Sequence, residues 1–80
     1  MDENQLMSLQ IEIGIKLGNR IKELRKKNNL TQESLAERSN VSVKHIQRLE
    51  SKTPCGVRLV TLYQLAQALD ISLSKLVNFK

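Results

Sequence analysis

The sequence predicts an all-α fold of five helices around one small core. Leu17, Ile21 and Leu24 recur at helical spacing in a segment that is otherwise mostly charged, which is typical of an amphipathic helix. Thr31 and Ser42 are each suited to begin a further short helix. No segment requires a folded strand, and 80 residues form one domain at most.

The charged residues are unevenly distributed along the chain. The formal net charge is +5 and the pI is near 9.7, which favours a polyanionic partner. The charged residues of 1–12 are all acids, namely Asp2, Glu3 and Glu12, whereas residues 16–27 carry six basic side chains against one acid. A second basic set, in the last thirty residues, comprises Lys52, Arg58, Lys75 and Lys80.

The first helix is predicted to run from about Ile13 to Asn28-Asn29, since asparagine tolerates the left-handed backbone that ends helices. Upstream, isoleucines at 11, 13 and 15 alternate with other residues, as in a strand. Leu9, Ile13 and Leu17 equally fit an upstream extension of the helix. We favour the helix, with residues 1–12 as an N-terminal extension and residues 13–80 as the folded domain.

Two short helices are predicted close together in the middle of the chain. Thr31 is the N-cap of residues 32–39, where Glu33 complements the helix dipole. Ser42 is the N-cap of residues 43–50, so only a tight turn fits between them. In the later helix Ile46 and Leu49 face inward. The outward side chains are Val43, Lys44, Gln47 and Arg48.

The C-terminal third contains a loop and two further helices. Pro54 and Gly56 mark a loop over residues 51–57. A fourth helix, ending near Asp70, is indicated by Leu59, Leu62, Leu65, Ala66 and Leu69. Ser72 can cap a final turn or two carrying Leu73, Leu76 and Val77.

Several classes of function are disfavoured by composition. Cys55, the single cysteine, cannot form an intrachain disulfide, and no Cys/His cluster has zinc-ligand spacing. We therefore expect no metal and no cofactor, and interpret Cys55 as a small turn residue, with a thiol switch or an intermolecular disulfide as the alternatives. His45 has no ligand or nucleophile pattern around it, so we expect no enzyme activity.

Membrane insertion and secretion are also disfavoured. No apolar run approaches the roughly 18 residues that a membrane span needs. The N-terminus begins with acids rather than with the basic residues of a signal peptide. The sequence thus predicts a cytoplasmic protein.

From about Leu17 to Val77 the chain closely resembles the Cro and phage-repressor type of helix-turn-helix proteins, also called the xenobiotic-response-element family. The residues that carry the resemblance are Leu17-Gly18-x-Arg20-Ile21-Lys22-x-Leu24-Arg25, Leu30-Thr31-Gln32-Glu33-x-Leu35-Ala36, Val41-Ser42, Ile46-x-Arg48-Leu49-Glu50, Leu59-x-Thr61-Leu62-x-x-Leu65-Ala66-x-Ala68-Leu69 and Ile71-Ser72-Leu73-x-x-Leu76. The resemblance implies a compact five-helix lambda-repressor-like domain.

The packing of the motif explains several of these residue types. Ala36 supplies a small side chain where the two short helices touch. Asn40 stands where the family usually has glycine, and asparagine is the next-best residue for positive φ. The resemblance implies that Arg25 and Glu50 pair and fix the orientation of the third helix. Ser51-Lys52 departs from the Asn-Gly that commonly follows, which leaves the loop geometry open.

The resemblance implies that the third helix, with its outward face, reads the major groove of double-stranded DNA. Arg48 and Lys44 can donate to guanine, Gln47 suits adenine, and Val43 offers apolar contact to a thymine methyl. The alternative is an ordinary solvated helix face. Gln32 resembles the family's phosphate-binding glutamine.

Further phosphate contacts are predicted from Lys52, Thr53 and Arg58, whose alternative role is as solubilising charges. Their contacts position a protein on DNA without carrying sequence information.

Family members generally bind as twofold dimers to half-sites about 34 Å apart. The predicted dimer interface comprises Leu73, Leu76, Val77 and Phe79, unless these residues close the monomer core. The alternating N-terminal isoleucines are a second candidate surface.

We therefore predict a transcriptional regulator that binds a palindromic operator as a homodimer. A controller protein of a restriction-modification system and an antitoxin bound to a partner toxin are the alternatives. A protein-interaction module without DNA is disfavoured by the outward basic side chains.

Overall fold

A computed structural model of the protein describes residues 2–52 and 56–79. Every regular element in these ranges is a helix. The helices are α1 (Glu3–Lys27), α2 (Gln32–Ser39), α3 (Val43–Leu49), α4 (Leu59–Ala68) and α5 (Leu73–Leu76). The predicted all-α fold of five helices is confirmed. Within the described ranges, none of these helices has the length and apolarity that crossing a membrane requires.

Helix α1 begins ten residues earlier than the sequence predicted. It starts at Glu3 rather than near Ile13, and the strand alternative is wrong as well. The reason is a capping box at Asp2. The Asp2 carboxylate accepts from the Gln5 backbone nitrogen at 2.8 Å, and the Asp2 backbone nitrogen donates to the Gln5 side chain at 3.0 Å. The predicted boundary between extension and domain at residue 13 falls inside α1 and stays a prediction.

Hydroxyl side chains cap three of the shorter helices as the sequence predicted. Thr31 Oγ1 accepts from the Ser34 backbone nitrogen at 3.0 Å, and Ser42 Oγ accepts from that of His45 at 3.1 Å. Ser72 caps α5 in the same way. Each cap satisfies an amide that the helix itself leaves without a partner. The beginnings of α2, α3 and α5 are therefore determined by residues that are close together in the sequence.

The core is built from all five helices. Its largest fully buried side chains are Ile21, Leu35, Ile46, Leu49, Leu65 and Leu76. Two of these belong to α3, which is only seven residues long. A helix this short is not stable alone in water, so its position depends on burial of Ile46 and Leu49.

Two long-range hydrogen bonds join a side chain of one helix to a backbone carbonyl near the C-terminus of another. Arg20 Nη2 of α1 donates to the carbonyl oxygen of Lys75 in α5 at 2.9 Å. Gln64 Nε2 of α4 donates to the carbonyl oxygen of Ser39, the last residue of α2, at 3.3 Å. Both acceptors are backbone carbonyls in the last turn of a helix, where carbonyls without an intrahelical partner are common.

Candidate nucleic-acid interface

The outer face of α3 presents the side chains that the sequence assigned to base reading. Lys44, Gln47 and Arg48 are exposed, and Val43 is half-buried. Ile46 and Leu49 hold the opposite face in the core. Lys44 and Arg48 also line a shallow surface depression together with Ser42 and His45. The short helix therefore offers its donors to solvent from a fixed position.

The turn between α2 and α3 depends on Asn40. Its backbone is left-handed, with φ 63° and ψ 22°, a conformation that costs most L-residues about 1–2 kcal/mol. Ser39 is buried beside it, and its Oγ accepts from the Val41 backbone nitrogen at 3.2 Å. Ala36 packs partly buried against the core. The predicted role of Asn40 at this turn is confirmed.

Gly18 sets how closely α1 approaches the end of α3. A Cβ atom at Gly18 would collide with the carbonyl oxygen of Leu49 and lie 3.1 Å from its carbonyl carbon. Gly18 is part of the family motif, but its role was not predicted from sequence. Its signal was present nonetheless, because glycine inside a helix costs about 1 kcal/mol relative to alanine and therefore suggests close packing.

Arg25 and Glu50 are brought together, and they join α1 to the C-cap of α3. Arg25 Nε and Nη2 donate to the two Glu50 carboxylate oxygens, each at 2.9 Å. Only 10% of the Arg25 side chain and 3% of the Glu50 side chain are exposed. A third donor, Arg25 Nη1, reaches the Leu30 carbonyl oxygen at 2.8 Å. The pair is therefore bidentate, buried and supported by a backbone acceptor.

The charge on Arg25 is reinforced by this arrangement. The hydrogen bond and the charge of Glu50 raise the pKa of Arg25, and together they outweigh burial, which lowers it. A raised pKa means that the guanidinium loses its proton only above its ordinary range. Arginine is charged near neutrality in any surroundings, so the effect of Glu50 is to extend that charge to higher pH.

Gln32 extends the ion pair into a three-residue network. Its side chain is half-buried, and Nε2 donates to Glu50 Oε1 at 3.2 Å. An amide nitrogen carries two hydrogens, so this bond leaves one more for a ligand. The contact of Gln32 with Glu50 was not predicted from sequence, because the two residues lie eighteen positions apart, at the start of α2 and the end of α3.

The other predicted phosphate contacts are only partly described. Lys52 and Arg58 are exposed on either side of residues 53–55. Thr53 and Cys55 lie outside the described residues. Base and phosphate assignments for individual side chains stay predictions.

The predicted dimer residues differ in how far their own chain buries them, and their place in an interface stays a prediction. Leu76 is fully buried in the core of its own chain, and Leu73 and Phe79 pack partly buried against the same core. Val77 alone among the four counts as a large exposed hydrophobic side chain, at 41% exposed. The set mainly closes the monomer, because the short helix α5 can be held only by burying its apolar side.

The family model HTH_3, a helix-turn-helix, matches residues 21–76. The chain belongs to this helix-turn-helix family. The predicted resemblance is thus confirmed, and the family is one of DNA-binding transcription regulators. Helices α2 and α3 with the turn at Asn40 are its helix-turn-helix. Residues 3–20 of α1 lie outside the matched residues.

Two solved structures resemble this chain in fold. The restriction-modification controller protein C.AhdI from Aeromonas hydrophila is 36% identical with a TM-score of 0.74, over 79% of this chain and 94% of that one. An HTH_3 family transcriptional regulator from Vibrio cholerae is 24% identical with a TM-score of 0.76. That likeness covers 82% of this chain but only 36% of the Vibrio protein, and it concerns the fold alone. No curated protein sequence matches the chain.

Proposed function

We propose that this protein regulates transcription by binding double-stranded DNA sequence-specifically, with α3 in the major groove. The observation that carries the proposal is the outward row Lys44, Gln47 and Arg48 on a helix held by buried Ile46 and Leu49. A reading helix must present donors to base edges without moving, and this arrangement meets both requirements. The same proposal places the protein in the cytoplasm.

The chemistry of the outward row suits direct readout of bases. Arg48 and Lys44 donate to the O6 and N7 acceptors of guanine. Gln47 can both donate and accept, which matches N6 and N7 of adenine. Val43 is half-buried and offers a methyl group to a thymine methyl. Each residue thus has a base edge that it fits.

Contacts to the DNA backbone would set the register of α3. Gln32 stands at the first position of α2, where free amides and the helix dipole favour an anion. Its amide is already oriented by Glu50, so the remaining hydrogen is available to a phosphate oxygen. Lys52 and Arg58 add positive charge on the exposed surface, which strengthens binding to any sequence.

Two copies are needed for selective binding. One helix-turn-helix contacts roughly one half-site, and twofold dimers read two half-sites about one helical turn apart. We therefore propose a homodimer on a palindromic operator.

A controller role in a restriction-modification system is the more specific candidate. It is supported by 36% identity to a controller protein whose chain is almost entirely covered. Genes for a restriction endonuclease and a methyltransferase next to the gene for this protein, and an operator in their promoter region, would support it. An operator in an unrelated promoter would contradict it while leaving the DNA-binding proposal intact.

Selection of genomic fragments followed by footprinting tests the general proposal. We expect one symmetric protected site whose affinity falls steeply with salt. Equal binding to every fragment, or no binding at low salt, would contradict it.

A further inference from the structure

The N-terminal half of α1 carries apolar side chains that the hydrophobic core of the chain does not cover. Leu6, Met7, Ile11 and Ile13 are 47–57% exposed. They belong to residues 3–16, here called the N-terminal segment, which continue the helix beyond the buried positions that begin at Leu17. Several large apolar residues exposed together on one element indicate an interaction surface.

This segment also forms one wall of an apolar groove. Ile11, Ile13 and Gly14 of the segment face a cleft of about 410 Å³ that Leu49 and Val57 help to close. Gly14 has no side chain, so another helix backbone can approach closely at that point. The exposed row and the groove are continuous, because Ile11 and Ile13 belong to both.

We propose that the N-terminal segment pairs antiparallel with the same segment of a second copy of this chain. A twofold axis near Gln10 would set Leu6 and Met7 of each copy over Ile13 and Gly14 of the other, at the mouth of the groove. The pairing is isologous, so every contact occurs twice. It covers Leu6, Met7 and Ile13 of both copies.

Charge complementarity selects a second copy in this orientation. The segment carries Asp2 and Glu3 at its beginning and Lys16 at its end. Antiparallel pairing sets the acidic beginning of one copy beside Lys16 of the other, whereas parallel pairing sets like charges together. Lys16 is already within 3.3 Å of Glu12 and remains 40% exposed, so its ammonium can also reach a partner.

The same charges disfavour other occupants of the surface. Between residues 2 and 15 every charged side chain is an acid. Helices that lie on membranes carry Lys and Arg on their polar face, and phosphates of DNA repel acids. A protein partner remains, and the chain supplies one whose apolar and charged positions match.

The inference rests on the proposed homodimer and locates its interface. This interface differs from the C-terminal dimer residues predicted from sequence. Three of those four residues pack against the core of their own chain. Leu59, Val60 and Tyr63 on α4 are 51–69% exposed and form the rival surface against which it is tested.

Sedimentation equilibrium of the full chain tests the inference. The Leu6→Gln/Ile13→Gln variant should weaken self-association at least about tenfold, while far-UV circular dichroism stays that of a helical fold. The matched control, Leu59→Gln/Tyr63→Gln, removes apolar side chains that are even more exposed and should leave association unchanged. Dissociation by the control alone would overturn the inference but not the homodimer. A wild-type chain that is monomeric at all concentrations would overturn both, and DNA binding measured separately would still stand.

A charge exchange tests the antiparallel orientation. Glu3→Lys and Lys16→Glu should each weaken association, and the two together should restore it. Glu12→Gln shows what loss of the partner within the helix does on its own. Additive weakening in the combined variant would overturn the antiparallel arrangement.

Discussion

Gly18 of α1 lies against the backbone of Leu49, the last residue of α3. The contact involves a carbonyl group rather than the flexible end of a side chain, so a larger residue cannot be accommodated by a rotamer change. The position of α3 thus depends on a residue thirty-one positions before its last residue. This contact, the buried residues of α3 and the Arg25–Glu50 pair together hold α3 in place.

Gly18→Ala should destabilise the protein by about 1–3 kcal/mol, because an added methyl group forces α1 and α3 apart. The higher helix propensity of alanine offsets about 1 kcal/mol of the clash. Urea denaturation followed by circular dichroism measures the change. Gly56→Ala is the control, since nothing lies within 4 Å of a Cβ atom there. Equal stability of the two variants would show that the helices do not meet at Gly18.

Removing either partner of the Arg25–Glu50 pair should cost about 3–5 kcal/mol, because the remaining charge stays buried without its partner. The double variant Arg25→Ala/Glu50→Ala should lose clearly less than the sum of the single changes. Glu23→Ala serves as the control, since Glu23 pairs with Arg20 at the surface with 68% of its side chain exposed. Strict additivity in a double-mutant cycle would disprove the coupling.

Asn40→Ala should lower stability by about 1 kcal/mol, because alanine tolerates the left-handed backbone less well than asparagine. Asn40→Gly should equal the wild type or exceed it, since glycine adopts positive φ freely. In a domain of this size 1 kcal/mol corresponds to a shift of about 4–8 °C in Tm. Asn19→Ala, at an exposed position within α1, controls for loss of the side chain. A glycine variant that melts as early as the alanine variant would refute this account of the turn.

Local signals in the sequence predicted most of the fold. The caps at Thr31, Ser42 and Ser72 and the left-handed Asn40 depend on a few adjacent residues, so reading the chain locally found them. The start of α1 was missed because alternating isoleucines overlap with helical spacing, and the capping box at Asp2 was overlooked.

Contacts between distant residues were not predictable in the same way. The bond from Gln32 to Glu50 and the approach of Gly18 to Leu49 follow from how the helices are packed. The C-terminal residues illustrate the same limit, since the sequence shows that Leu76 is apolar but not which surface buries it. A spacing pattern specifies a face of a helix, and only the packed structure specifies what covers that face.

The two proposed phosphate contacts, from Lys52 and from Gln32, should affect the salt dependence of DNA binding differently. Lys52→Ala should weaken specific and non-specific binding alike and reduce the slope of log affinity against log salt by about 0.9. Gln32→Ala should weaken both kinds of binding while leaving the slope unchanged, because glutamine carries no charge. Fluorescence anisotropy with operator and scrambled duplexes at several salt concentrations measures both effects. A Lys52 variant with altered sequence preference would contradict a phosphate role.

If the outward face of α3 reads bases, a complete operator specificity profile of Arg48→Ala should reveal which base pair Arg48 contacts. Affinities would be measured for every single base-pair change in the operator, with wild type and variant side by side. Arg38→Ala is the control, because it removes the same charge from an exposed position on α2. It should leave the profile unchanged. Our account predicts that Arg48→Ala loses about 1–3 kcal/mol of discrimination at one position in each half-site. Uniform weakening at every position, or a profile identical to that of the wild type, would contradict it.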